Sequence, residues 1–167
     1  MNRRTALALT TAALFCLGAA LPAAAQKKTL KDQIMGTWSF ISTVNTRPDG
    51  SKVDPWGPGA TGSLIYTPNG RFAFMIVRAD IPKFERDKGT PEQFKAAAQG
   101  VTAYHGTYTV DETNKTIVHR VIGSSFAAFN GTEVKRTVTS VTADELRYTI
   151  PTSSFGTTVD STWKRAK

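Results

Sequence analysis

Two side chains in this sequence carry chemistry out of keeping with their surroundings: His119 and Arg136. His119 sits in the middle of Thr116-Ile117-Val118-His119-Arg120-Val121-Ile122. On an extended chain it shares a face with Ile117 and Val121, while Val118, Arg120 and Ile122 take the other. Each face carries one polar residue, so alternation leaves open which one is inside. His119 is either an ordinary hydrogen-bonded strand histidine or a ligand contact or acid/base, roles that suit an unperturbed pKa near 6.5. Arg136 shares its parity with Val134 and Val138. If those valines point inward, so does the guanidinium, which must then be paired within the protein or meet an anionic ligand. The remaining reading is an exposed strand arginine. Tyr104 and Tyr108 present two phenols to one side of their strand, with His105 on the other. Phenols are wall or core residues in most settings. Gathered with Phe74, His119 and Arg136 around an apolar cavity, they would suit an aromatic or carbonyl-bearing ligand.

Other chemistries find little support. The two histidines lie in different strands and no closely spaced carboxylate set accompanies them, so no metal site is expected. There is no Gly-rich phosphate loop and no Gly-x-Ser-x-Gly elbow, and nothing calls for a cofactor. The only cysteine, Cys16, lies in the N-terminal apolar run, which rules out disulfides, thiolate sites and a cysteine nucleophile beyond it.

The elements that must position these residues are mostly strands. Gly36–Val44 alternates, with Trp38, Phe40 and Ser42 on one face. Arg47-Pro48-Asp49-Gly50-Ser51 and Asp54-Pro55-Trp56-Gly57-Pro58-Gly59 are loop chemistry. Thr61–Tyr66 and Arg71–Arg78 form a hairpin about Thr67-Pro68-Asn69-Gly70, where Asn-Gly favours a tight turn. Thr90-Pro91-Glu92-Gln93 reads as an N-cap, a proline at the first helical position and a capping-box partner. It opens a helix that should stop near Gly100. Strands are expected again at Ala103–Val110, Thr116–Ile122, Thr132–Val141, Glu145–Ile150 and Thr157–Trp163. About eight strands and one helical insertion in a small all-β domain should close into an antiparallel up-and-down barrel rather than leave edges exposed. At that strand number the interior is filled by side chains or holds one small ligand.

The N-terminus reads as an address. Arg3 and Arg4 precede an apolar run from Ala6 to Leu21, and Pro22-Ala23-Ala24-Ala25-Gln26 supplies the small residues of a cleavage site. Residues 1–25 are expected to be a signal peptide, residues 26–167 one domain, and the protein periplasmic or secreted without stable membrane insertion. Phe15 before Cys16 argues against a lipid anchor. Removing Arg3 and Arg4 lowers the net charge from +8 to +6. The excess is spread along the chain and without an interleaved aromatic platform, so it indicates solubility rather than a nucleic-acid partner.

Several phrases together resemble the bacterial lipocalin-like domain family of the calycin superfamily: Gly36-Thr37-Trp38, the stretch Gly62–Phe72 with its Gly/Pro-rich lead-in, Tyr104-His105-Gly106-Thr107-Tyr108, Thr116–His119 and Gly131–Arg136. Family members often carry Trp-x-Gly-Thr where this chain has Phe129-Asn130-Gly131-Thr132, a departure that bears on ligand preference. The resemblance implies a calycin barrel in which a basic residue of the last strand, Lys164 or Arg165, packs across Trp38. It implies no reaction. The expected function is therefore binding of a small hydrophobic or aromatic ligand in the barrel, with His119, Arg136, Tyr104, Tyr108 and Phe74 as contacts. The alternatives are a cofactor-independent isomerase- or cyclase-type enzyme built on His119, a tyrosine and Arg136, and an envelope protein whose barrel is filled.

Overall fold

In the computed structural model, residues 28–153 and 156–167 are described. The expected signal peptide lies outside them. Strands form at Gly36–Thr46 (β1), Lys52–Val53 (β2), Thr61–Tyr66 (β3), Arg71–Val77 (β4), Val101–Asp111 (β5), Thr116–Ser124 (β6), Glu133–Val141 (β7), Glu145–Ile150 (β8) and Thr158–Arg165 (β9). They pair antiparallel in the order β2-β1-β3-β4-β5-β6-β7-β8-β9, and β9 returns to β1 along most of its length. β1 and β3 to β9 thus make a closed eight-stranded barrel, with β2 an extra two-residue strand on the end of β1. Closure leaves no long unpaired edge, which is the physical reason a sheet of this length curls.

The helix at Pro91–Gln99 (α2) carries the expected capping box, with Gln93 N–H donating to Thr90 Oγ1 and Thr90 N–H to Gln93 Oε1. A second, five-residue helix at Leu30–Ile34 (α1) was not expected, nor was a single 3₁₀ turn at Ala127–Phe129. Neither is long enough to leave a periodicity in the sequence. α1 covers one end of the barrel and buries Leu30 and Ile34 there. Its first amides, of Leu30 and Lys31, donate to the Glu112 carboxylate at the β5–β6 turn.

That end is tightly filled. Trp38, Leu64, Ile117, Leu146 and Trp163 are fully buried. Trp38 Nε1 donates to Ile34 O at 2.7 Å. Arg165, rather than Lys164, lies over the Trp38 ring, its Cζ 4.0 Å from the centroid. Its guanidinium also donates to the carbonyls of Gln33, Met35 and Ala143 at 2.6–2.8 Å.

Irregularities in the ladder decide several side-chain directions. A bulge between Phe40 and Ser42 shifts β1 by one residue, so Thr43 points inward and Ser42 is exposed. The expectation that Ser42 follows Trp38 and Phe40 is corrected accordingly: an extra residue inverts every later side chain. At Gly106 β5 approaches β6 so closely that a Cβ would lie 1.9 Å from Arg120 O. Opposite it, Ile122 is the additional residue of β6, turned outward.

Candidate functional site

The other half of the barrel is open. A cavity of about 490 Å³ lies within it, walled by the inward residues of β4 to β9 and the far end of β1. Phe74, Ile76, Val121, Val134, Ile150 and Val159 give it an apolar body. Its mouth is formed by loops far apart in sequence: Trp56 between β2 and β3, Gln99 at the end of α2, Phe126 and Phe129 between β6 and β7, and Ser153 between β8 and β9. Asp54 shapes the first of these loops, its carboxylate accepting from the N–H groups of Trp56 and Gly57. On the β1–β9 side the wall carries a hydroxyl pair, Thr43 and Ser161, 3.1 Å apart.

Arg136 is the one charged side chain among the described residues that line this cavity. It lies against the floor and has no solvent-exposed surface. The guanidinium carbon sits 5.3 Å from the Tyr148 ring centroid, 5.9 Å from that of Phe74 and 6.0 Å from that of Tyr104. Nη2 donates a short hydrogen bond to the Tyr104 hydroxyl, and Nη1 reaches Val134 O at 3.4 Å. Nε has no partner, and among the described residues no carboxylate lies within ion-pair distance of the group. Ring faces compensate part of a buried cation, about 2 kcal/mol at a desolvated site. The effective cost of burying one ion is several kcal/mol. The site therefore holds an excess of positive charge that its own protein atoms do not neutralise.

The phenols beside Arg136 are donors with protons to give. Tyr104 stacks on Phe74 with centroids 4.5 Å apart, and its hydroxyl oxygen already accepts from Arg136. Burial pushes its pKa up to about 12 against the opposing pull of Arg136, so the O–H is kept at neutral pH. Tyr148 accepts from Trp163 Nε1 at 3.1 Å, which likewise leaves its proton free to point elsewhere. One acceptor in the wall, Asn45 Oδ1, is also without a partner.

The residues singled out from the sequence divide into two groups. Phe74, Tyr104 and Arg136 line the cavity; His119 and Tyr108 do not. His119 does point inward on β6, the neighbour of Arg136's strand, and is fully buried. It lies beneath the cavity, stacked on Phe72 at 3.8 Å and bonded through Nε2 to the Tyr66 hydroxyl at 2.8 Å. Burial, reinforced by the charge of Arg136, holds its pKa well below the ordinary value. Tyr108 is nearer the filled end, in edge contact with Tyr66, and its hydroxyl donates to Thr67 O in the β3–β4 turn. Arg136 thus shares the cavity floor with Tyr104 and Tyr148, and His119, expected as a contact there, lies beneath it. Of the mouth aromatics, Phe129 stands at the departure from the family's Trp-x-Gly-Thr that bears on ligand preference, while Trp56 and Phe126 are not among the expected contacts. Their signal was large apolar residues inside Gly/Pro-rich or otherwise irregular loops, where solvent exposure would leave them without a packing role.

The family model for a lipocalin-like domain matches residues 35–166, nearly all of the described chain. No curated protein matches. Among solved structures, a lipocalin-like protein from Bacteroides uniformis is 13% identical with a TM-score of 0.44, the alignment covering 80% of this chain and 99% of that one. Bovine odorant binding protein, solved with a selenium-containing odorant, is 14% identical with a TM-score of 0.44, over 84% and 74% of the two chains. A redesigned β-barrel is 12% identical with a TM-score of 0.46, over 84% and 98%. The match of the family model across the barrel strands identifies the chain as a member of the lipocalin-like domain family.

Proposed function

We propose that this protein is an exported carrier that binds one small, largely apolar ligand in the open half of its barrel. The observation that carries this reading is the cavity of about 490 Å³, apolar in its body and opening between four loops. Pockets of this size and lining bury most of the surface of a small organic molecule. The reading is supported over a filled envelope barrel because only the α1 end is packed solid. It is supported over an isomerase or cyclase because His119, the acid/base candidate, does not reach the cavity. Export rests on the N-terminal pattern of residues 1–25. Among the described residues no helix is long and apolar enough to cross a membrane.

The test is a titration with N-phenyl-1-naphthylamine, a neutral dye that brightens on leaving water. The expected result is saturable, one-to-one binding to the parent and its loss in Val134→Trp, whose indole would occupy the cavity while circular dichroism stays unchanged. A parent that fails to brighten the dye, or a Val134→Trp variant that binds it equally well, would refute the carrier.

A further inference from the structure

We propose that the ligand is a monocarboxylate, its apolar body in the cavity and its carboxylate on the floor formed by Arg136, Tyr104 and Tyr148. This rests on the carrier reading and adds the charge class of what is carried. The floor is rich in donors and poor in acceptors. Among the described residues Arg136 Nε has no acceptor. The hydroxyl oxygens of Tyr104 and Tyr148 are each already accepting, from Arg136 and from Trp163, so each phenol has its proton to donate. Two phenol donors backed by one buried cation match an acceptor that carries charge and two oxygens. A neutral carbonyl would satisfy a donor and leave the cation uncompensated. A cationic ligand would meet like charge in a low-dielectric pocket. The two phenols present the donors to the cavity and the guanidinium supplies the charge behind them, since Arg136 itself has no exposed surface.

The experiment compares three ligands of nearly the same shape for displacement of N-phenyl-1-naphthylamine at pH 7.5: naphthalene-1-acetic acid, its primary amide, and 1-naphthylmethylamine. The expected order in the parent is acid, then amide, then amine, with the acid about tenfold or more tighter than the amide, the worth of one charge-assisted hydrogen bond. In Arg136→Met the acid should lose that advantage while the amide keeps its affinity, and the melting temperature should hold or rise, because an uncompensated buried cation has been replaced by an unbranched apolar chain. Tyr104→Phe should narrow the gap severalfold without reversing it. An amide that binds the parent as well as the acid, or an amine that binds as well as the amide, overturns the carboxylate while leaving the carrier standing. An acid advantage undiminished in Arg136→Met also overturns it. Failure of the dye to bind the parent overturns the carrier itself, and the carboxylate with it.

Discussion

His119 shows how much a single buried side chain can couple this fold to pH. Its ring is fully buried, Nε2 is bonded to Tyr66, and Nδ1 has no partner. Burial and the nearby Arg136 charge hold its pKa below the unfolded value near 6.5. Below pH 6.5 the unfolded chain therefore takes up a proton that the barrel refuses. The stability involved is fully present above about pH 6.5 and is lost as pH falls toward the folded pKa, at up to about 1.4 kcal/mol per pH unit. The carboxylates held low by local hydrogen bonds, such as those of Asp49 and Asp111, lose their contributions only at more acid pH. Urea unfolding at pH 7 and pH 5 should thus show a clear drop for the parent and a much smaller one for His119→Gln. Equal drops would place the pH-sensitive group elsewhere. Gly106 makes a second claim at this scale. A methyl there would collide with Arg120 O, so Gly106→Ala should destabilise by about 1–3 kcal/mol, the range for overpacking, measured by the same unfolding experiment.

Among the elements, α1 is joined to the barrel by a few strong contacts rather than by length. Arg165 holds three carbonyls at its end of the barrel and stacks on Trp38, while Glu112 accepts from two amides at the helix start. Arg165→Met should therefore cost at least about 2 kcal/mol, since charge-assisted bonds run at about 1.5–3 kcal/mol each and do not add fully. A loss below about 0.5 kcal/mol would show that α1 holds without it. The same scale explains what could be read from the chain. The strands from β3 to β9 were legible because Asn69-Gly70, Asp111–Asn114 and Ala143-Asp144 punctuate alternating runs. The Phe40/Ser42 bulge was not legible, since one extra residue leaves no compositional trace, and it reversed the direction of Ser42 and Thr43. In the site, Arg136, Tyr104 and Phe74 stood out by chemical type. Whether His119 faced the open or the packed part of the interior depended on where the barrel is filled. Trp56, Phe126 and Phe129 reach one mouth only because closure brings four separate loops together, a consequence of topology that no local pattern records.

The whole molecule is a barrel in two unequal halves, and stability should be distributed accordingly. At the α1 end, Trp38, Leu64, Ile117, Leu146 and Trp163 fill the interior without exposure. At the other end the same strands enclose empty space, so their inward residues Val134, Ile150 and Val159 are only partly buried. Fewer buried contacts mean lower opening free energies, and amides there should exchange through local openings while those at the packed end wait for global unfolding. Hydrogen exchange followed by mass spectrometry should show this gradient along single strands: within β7 faster at Glu133–Lys135 than at Thr137–Val138, and within β9 faster at Thr158–Val159 than at Thr162–Trp163. Ligand changes the pattern in a defined way. Any opening that releases the ligand is opposed by mass action, so at 100 times the dissociation constant both the mouth amides and the globally exchanging ones should slow about 100-fold, equivalent to about 2.7 kcal/mol. Amides of the Arg47–Ser51 turn, which takes no part in the cavity wall, should keep their rates. Uniform protection along β7 and β9 in the free protein would contradict the two-halved barrel. Slowing confined to the Arg47–Ser51 turn or to α1 would place the ligand outside it.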